Sequence, residues 1–356
     1  MGVTSASQTV PEQRLLDAAR GGDQDAFRLL VEPYRAELHA HCYRMLGSVH
    51  DAEDALQNAL LRAWRGLAGL EYRGSLRAWL YRIATNASLD ALARRPKRVL
   101  PIDYRPPGDP DEGSAEAVEA VWVEPYPDEQ VGVEDGYAGP EARYEQRESI
   151  ELAFIAALQH LAPRQRAVLI LRDVLGFSAR EVAEALDTST ASVNSGLQRA
   201  RKTIDERLPE RSQQATLRSL GDERIRELVQ RFTDAFERGD VDAILAMLAE
   251  DVTFAMPPYE GWCRGRDAVA RSWLMPTGPA PRLRYVPTRA NGQPAAGVYL
   301  RDDRTGRYLP LALDVITLRG TTIVDVIAFR TPEVFGFFGL PEELGPAPGE
   351  GTRSWN

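Results

Sequence analysis

At 356 residues with 44% apolar residues, the chain has room for two or three globular domains, and no apolar run approaches the roughly 18 residues of a membrane-spanning helix. The N-terminus has no basic patch followed by an apolar core, and Ala6 stands where a myristoylation signal carries Ser or Thr, so neither a signal peptide nor a lipid anchor is expected. The net charge of −9 is unevenly spread: residues 99–140 hold 11 acids against one base, whereas from Arg65 to Arg98 eight bases stand against two acids. The overall acidity therefore does not exclude a nucleic-acid partner, because a phosphate backbone feels charge only within about 8–10 Å. Two distant cysteines, Cys42 and Cys263, and four histidines lack metal-ligand spacing. Packing roles, a reduced cytoplasmic compartment and no metal or cofactor are expected.

Residues 12–95 read as a run of helices. One amphipathic helix starts at Asp23-x-x-x-Phe27 and is stopped by Gly47-Ser48. In DAEDALQNALLRAW, residues 51–64, Ala52, Ala55, Leu56, Ala59, Leu60 and Ala63 share one face at a period of 3.6. The opposite face carries Asp54, Gln57, Asn58, Leu61, Arg62 and Arg65, a leucine in the middle of a polar surface. Asp51 reads as the N-terminal cap. A long helix follows over 75–95, started by Ser75 and stopped before Pro96. It bears Arg77, Arg82, Asn86, Arg94 and Arg95, while Trp79 aligns with Ile83 on the side expected to pack.

Residues 99–140, rich in proline, glycine and acid, read as a largely disordered linker that lets its flanking domains move independently. Helices resume at 141–160, 164–174, 178–185 and about 189–206. The last two form a helix-turn-helix pattern. Val193, Leu197, Ala200 and Ile204 face inward, and Ser192, Asn194, Ser195, Gln198, Arg199, Arg201 and Lys202 face out or flank. Short polar groups followed by cations suit base edges and phosphates respectively.

From Gly221 the pattern changes to helices over 222–238 and 240–249, the strand VTFAM, a helix near 266–274, and then strand-like runs. Asn291-Gly292 and Arg319-Gly320 mark tight turns, and a short helix near 332–339 closes the region. Helices followed by a meander indicate an α+β domain.

DAEDALQNALLRAW, RGSLRAWLYRIATNASLDALARR and LAPRQRAVLILRDVLGFSAREVAEALDTSTASVNSGLQRARK, in that order and spacing, resemble the bacterial RNA polymerase sigma factors of the extracytoplasmic-function (ECF) class. The resemblance implies two all-α domains followed by the α+β domain: sigma region 2 at 10–98, the linker at 99–140, and region 4 at 141–210. By it, Asp51, Asp54, Gln57, Asn58, Leu61 and Arg62 contact the clamp of the polymerase's largest subunit, and region 4 meets the flap. Arg73, Arg77, Arg82, Asn86, Arg94, Arg95, Lys97 and Arg98 would capture the −10 element as an opened strand. Thr188, Ser189, Ser192, Asn194, Ser195, Gln198, Arg199, Arg201 and Lys202 would read the −35 element. Three departures stand out. Asp187 occupies the turn position usually held by glycine, Asn194 and Gly196 replace basic residues, and the loop before Leu76 is short.

The segment AFERGDVDAILAMLAEDVTFAMPPYEGWCRGRDAV resembles the N-terminal half of a SnoaL-like (nuclear-transport-factor-like) cone, placing such a domain at 220–340 with a tail at 341–356. Phe254, Met256, Tyr259, Trp262, Trp273, Tyr285, Asp314 and Phe329 are its candidate pocket residues, with Asp314 or Asp325 able to face inward. The domain is expected to touch the sigma domains or linker and modulate them in cis. A small-molecule ligand or a separate anti-sigma protein are open alternatives, and no membrane partner is expected. A regulator acting without polymerase, or an isomerase- or hydrolase-like enzyme carried by the last domain, are the competing functions. With no histidine after His160, the enzyme reading lacks the commonest general base.

Overall fold

The computed structural model describes residues 9–69, 75–109, 121–131, 147–209, 211–271 and 282–346. It divides into two compact units. One joins the residues up to Arg95 with 157–206, and the other joins 96–129 and the residues just before 157 with everything from Arg207 on.

The first unit is helical. It begins with α1 (Thr9–Arg20), α2 (Gln24–Val31), α3 (Arg35–Leu46), α4 (Val49–Gly66) and α5 (Leu76–Leu92). Local chemistry sets the boundaries. Asp23 caps α2 by accepting the Ala26 N–H at 3.0 Å, and Gly47 ends α3 at φ 70°. Ser48 accepts the Asp51 N–H at 3.0 Å and Ser75 the Ala78 N–H at 3.1 Å. Ser48, not Asp51, is therefore the cap of α4, which starts two residues earlier than expected. Leu38, Tyr43, Met45, Ala52, Leu56, Leu80 and Ala84 form the core among α3, α4 and α5.

Helix α6 (Leu152–Gln159) leads into α7 (Pro163–Leu169), which continues as a π-helical turn over Ile170–Val174. Then come α8 (Ala179–Ala185) and α9 (Thr190–Asp205), the expected helix-turn-helix, with α9 against α7. Of the helix expected from 141, the described residues 147–148 are helical and 149–150 form a turn before α6, and 141–146 lie outside the described residues.

The second unit is built on a six-stranded sheet of β3 (Leu248–Ala255), β4 (Trp262–Arg264), β5 (Leu283–Ala290), β6 (Gln293–Arg301), β7 (Tyr308–Arg319) and β8 (Thr322–Phe329), after the small parallel pair β1 (Arg98–Val99) and β2 (Val121–Trp122). The order is β4-β3-β8-β7-β6-β5, and only β3 and β8 run parallel within it. Helices α10 (Gln213–Leu220), α11 (Asp222–Arg238) and α12 (Val241–Met247) precede the sheet. Phe232 and Phe236 of α11 share a buried cluster with Phe254, Tyr285, Ile316 and Val326 of the sheet. The opposite face is closed by the 3-10 segment Pro332–Phe338, with the rings of Tyr299 and Phe335 5.3 Å apart. Gly297 permits that approach, since a Cβ there would lie 2.8 Å from Leu340 Cδ1. Of the helix expected at 266–274, Arg266–Val269 is α-helical and 270–271 are π-helical, and 272–274 lie outside the described residues.

Of the described linker residues, those from 99 to 109 and from 121 to 129 belong to the second unit, where the acid-rich composition conceals an apolar string: Trp122, Val123 and Tyr126 are all buried. The Trp122 indole donates to Pro258 O at 3.0 Å, the Trp262 indole donates to Arg105 O at 2.7 Å, and the Gly108 N–H donates to Trp262 O at 2.9 Å.

Candidate nucleic-acid and protein interfaces

Helix α4 buries Ala52, Ala55, Leu56, Ala59 and Ala63 and exposes Asp54, Gln57, Asn58, Leu61 and Arg62, as its periodicity requires. Leu61 is 57% exposed, among the most exposed large apolar side chains described. Asp51 differs from its expected place. It is 6% exposed and ion-paired with Arg95, which also approaches Asp54 at 3.6 Å. Arg62 pairs with Asp90 of α5 at 2.7 Å, which fixes the far edge of the face.

On α5, Arg82 and Asn86 are exposed one turn apart, and Arg94 is exposed just beyond the helix. Arg77 is engaged inside the unit instead. It donates to Glu37 at 3.0 Å, and its guanidinium lies 4.8 Å from the Tyr81 ring centre and 5.1 Å from that of Phe177. Tyr81 donates to Glu37 at 3.0 Å and stands edge-on to Phe177 at 5.3 Å. A second junction places the Arg166 guanidinium on Met45 O and on Gln159 Oε1, the latter at 2.7 Å. Burial pushes Arg166 down to about 10. Arg95 is drawn to the α4 acids as above. Arg98 falls in the other unit, where it donates to Trp122 O and pairs with Glu124 at 3.4 Å. Lys97 is exposed, and Arg73 lies outside the described residues. Of the expected −10 set, Arg82, Asn86 and Arg94 thus share an exposed stretch, while Arg77, Arg95 and Arg98 have protein partners. Glu37, Arg166 and Phe177 were not foreseen, because helix periodicity marks a position as inner or outer without naming its partner.

In the helix-turn-helix, Ser178 and Glu181 form a reciprocal capping box at 3.2 and 2.7 Å, and Ser189 accepts the Ser192 N–H at 3.1 Å. Asp187 adopts φ 50°, the left-handed geometry expected of it. Ser189, Ser192, Asn194, Ser195, Gln198, Arg199, Arg201 and Lys202 are exposed on one continuous surface, and Thr188 is half-buried beside it. Arg199 donates to Ser195 at 2.7 Å, and Arg201 forms a two-pronged pair with Asp173 at 2.7 and 2.8 Å. Gly196 is buried against Val168 of α7, which explains why no base stands there.

In the second unit the hairpin tip between β5 and β6 is buried. Asn291 is 0% and Gln293 2% exposed. Asn291 and Gly292 take the positive φ values of 55° and 70° that a tight turn needs. Three distant segments meet there. The Asn291 carboxamide accepts from Tyr126 N and donates to Ile150 O, at 2.8 and 2.7 Å. Asp128 accepts the Gly292 N–H at 2.6 Å, and Gln214 donates to Gly292 O at 2.7 Å. Glu151, 5% exposed, accepts the N–H groups of Gln214 and Gln213 at 2.6 and 3.2 Å, and burial raises its carboxyl to about 7.

The expected pocket residues divide. Phe254, Tyr285 and Asp314 face the α11 side, where Met256 is half-buried. Phe329 pairs with Leu313 on the opposite face, so it leaves the set. Trp262 is turned to the linker, Tyr259 accepts from Arg330 at 3.3 Å, and Trp273 lies outside the described residues. Asp325 is hydrogen-bonded to Thr253 and alternates away from Val326, which leaves Asp314 as the inward carboxyl. Among the described residues no cluster of His, Cys, Asp or Glu is arranged for a metal, both cysteines are buried outside any disulfide, and no helix is long and apolar enough to cross a membrane.

Residues 30–98 match the Sigma-70 region 2 family, 151–204 the Sigma-70 region 4 family, and 229–328 the SnoaL-like domain. The chain is 42% identical to the ECF RNA polymerase sigma factor SigG of Mycobacterium tuberculosis, over 96% of this chain and 94% of that one. It is 29% identical to SigW of Bacillus subtilis over 55% of this chain and 96% of the other. Among solved structures, the extracytoplasmic-function sigma factor SigJ of M. tuberculosis superposes with a TM-score of 0.55 at 24% identity, covering 86% of this chain and 97% of that one, a likeness of fold.

Proposed function

The chain belongs to the ECF RNA polymerase sigma factors, which bind core polymerase and direct promoter-specific initiation, and we propose how its parts divide that work. The exposed face of α4 docks on the clamp of the largest subunit, with Leu61 as an apolar centre inside a polar rim. Arg82, Asn86 and Arg94 hold the opened −10 strand, Arg77 joining them when released from Glu37. The exposed surface of α9 reads the −35 duplex, with Ser192, Asn194, Ser195 and Gln198 at base edges and Arg199 and Lys202 on phosphates. The work is done in the cytoplasm.

The C-terminal domain modulates the two DNA-binding domains through the segments that connect them. The observation that carries this is the buried Asn291-Gly292 tip, which binds the linker that leaves region 2, the segment that enters region 4 and the helix that leaves it. Its interior, around Phe254, Tyr285 and Asp314, is read as a ligand pocket. A ligand acts only to the extent that it binds one arrangement of these segments more tightly than another. The test is transcription by the full chain with core polymerase, with the 5′ ends of the products mapped. Discrete start sites preceded by shared −10 and −35 sequences are expected. If the chain directs no initiation above core polymerase alone, the reading fails.

A further inference from the structure

Within the second unit, the segment that enters region 4 and the helix that leaves it are joined side chain to backbone. The entry segment, residues 147–151, brings two acids to the first turn of α10. Ser212, which caps α10 by accepting the Ala215 N–H at 3.1 Å, donates its hydroxyl to Glu148 Oε1 at 2.5 Å. Glu151 accepts the Gln213 and Gln214 N–H groups at 3.2 and 2.6 Å, two donors that a helix cannot satisfy at its own start. The same residue stands just before α6, where its carbonyl accepts the Ile155 N–H at 2.9 Å. Its backbone thus begins region 4 while its side chain holds the helix beyond region 4.

The Gln214 carboxamide completes this contact. Its nitrogen donates to Gly292 O at 2.7 Å, the residue is fully buried, and the carboxamide adjoins the Glu151 carboxyl. Its Oε1 is a buried acceptor with no hydrogen-bond partner. An ionised Glu151 has only acceptors to offer that oxygen, whereas a protonated one has an O–H to donate. Buried polar atoms are rarely left unpaired, so the arrangement favours the acid form. The cations nearby are turned to other partners. Arg147 and Arg289 face Asp128 at 3.9 and 3.1 Å, and Arg211 donates to Ala215 O at 3.1 Å. Arg319, next to the Leu318 carbonyl that Gln213 holds, pairs with Asp251 at 2.6 Å. Burial, together with the like charge of Glu148, holds Glu151 at about 7, against roughly 4.3 in a free chain.

We propose that Glu151 is a proton-controlled clasp on the two ends of region 4: protonated and bonded to Gln214 Oε1 it binds the entry segment to α10, and ionised it loosens that hold. This rests on the reading that the C-terminal domain acts through these segments, and the experiment separates the two. The clasped form holds the proton more firmly than the released one. The clasp is therefore at full strength below about pH 4 and weakens as the pH rises through 7, by about tenfold between pH 6 and pH 8. Amide exchange in the full-length protein, divided by the intrinsic rate at each pH, is expected to show that loss of protection in residues 147–152 and 211–220. Glu151→Gln carries both an acceptor for the N–H groups and a donor for Gln214, so it keeps the protection and removes its pH dependence. Glu148→Gln takes away the like charge and moves the loss to lower pH, a second reading should Glu151→Gln not fold. Protection that does not fall, a fall of wild-type size in Glu151→Gln, or one that Glu148→Gln leaves in place overturns the clasp, and modulation by the C-terminal domain stands. Transcription with core polymerase is measured over the same pH range as the ratio of wild type to Glu151→Gln, and that ratio is expected to change with pH. A constant ratio beside the expected exchange result keeps the clasp and overturns modulation through this contact.

Discussion

Single side chains make two predictions. Leu61 lies 57% exposed on a face whose other members are polar, so Leu61→Asp removes an apolar contact without entering the core. The thermal midpoint is expected to stay within about 2 °C, while retention on immobilised core polymerase drops at least tenfold. An unfolded variant would refute the face assignment. The second concerns pH. Burial raises Asp314 to about 8, Glu151 to about 7 and Asp325 to about 6, above the unfolded values near 4. The folded chain thus holds these protons more firmly than the unfolded one. Their contribution to stability is complete below about pH 4 and is lost as the pH rises toward 8, at up to about 1.4 kcal/mol per pH unit for each group. Urea midpoints measured from pH 5 to 8.5 are expected to fall, and Asp314→Asn to flatten the upper part of that fall. A midpoint that rises across this range contradicts the assignment.

At the scale of elements, the buried hairpin tip is the most constrained turn described. A Cβ at Gly292 would lie 2.7 Å from Gln214 Nε2 and 3.1 Å from Arg147 Cβ, at a φ of +70° that side chains rarely adopt. Gly292→Ala is expected to loosen residues 121–131 and 211–220 while the sheet stays formed. Amide hydrogen exchange would show protection lost in those two segments and kept in β7 and β8; unchanged exchange would mean that the tip does not hold them. Asn291-Gly292 was legible as a tight turn, since both residues tolerate positive φ. Its burial was not, because its partners at 126, 128, 150 and 214 are remote in sequence and carry no periodicity. The helices were legible for the converse reason: caps at Ser75, Ser178 and Ser189 and a 3.6-residue apolar repeat are local signals. Within the linker, composition hid one buried stretch. Eleven acids dominate 99–140, yet Trp122, Val123 and Tyr126 were the visible sign that part of it had apolar surface to bury. At the candidate sites, exposure followed periodicity on α4 and α9. On α5 the partners of Arg77 come from α3 and from the start of the helix-turn-helix, which no pattern within α5 encodes.

For the molecule at work, the state of the helical unit matters most. Region 2 and region 4 meet within it through Phe177 on the Arg77–Tyr81–Glu37 group and Arg166 on Met45 O. A compact body of roughly 150 residues has a radius of gyration of about 15 Å. The −10 and −35 elements are about 25 base pairs apart, roughly 85 Å at ~3.4 Å per pair. If α5 holds the first and α9 reads the second, as proposed above, one compact body cannot reach both, and the contact opens on the promoter. Phe177 adds an aromatic pair and a cation–π contact to the closed form, together about 1–3 kcal/mol. Phe177→Ala should thus shift the equilibrium toward the open form by about five- to 150-fold. Two readouts on the full chain distinguish opening from general loosening. Energy transfer between dyes on region 2 and region 4 should fall, and binding of a single-stranded −10 oligonucleotide should strengthen about three- to tenfold as Arg77 becomes available. Lost energy transfer with unchanged oligonucleotide binding would show that Glu37, not Phe177, withholds Arg77, and Glu37→Gln would then be the variant that restores it. Unchanged energy transfer would mean that Phe177 does not hold the unit closed.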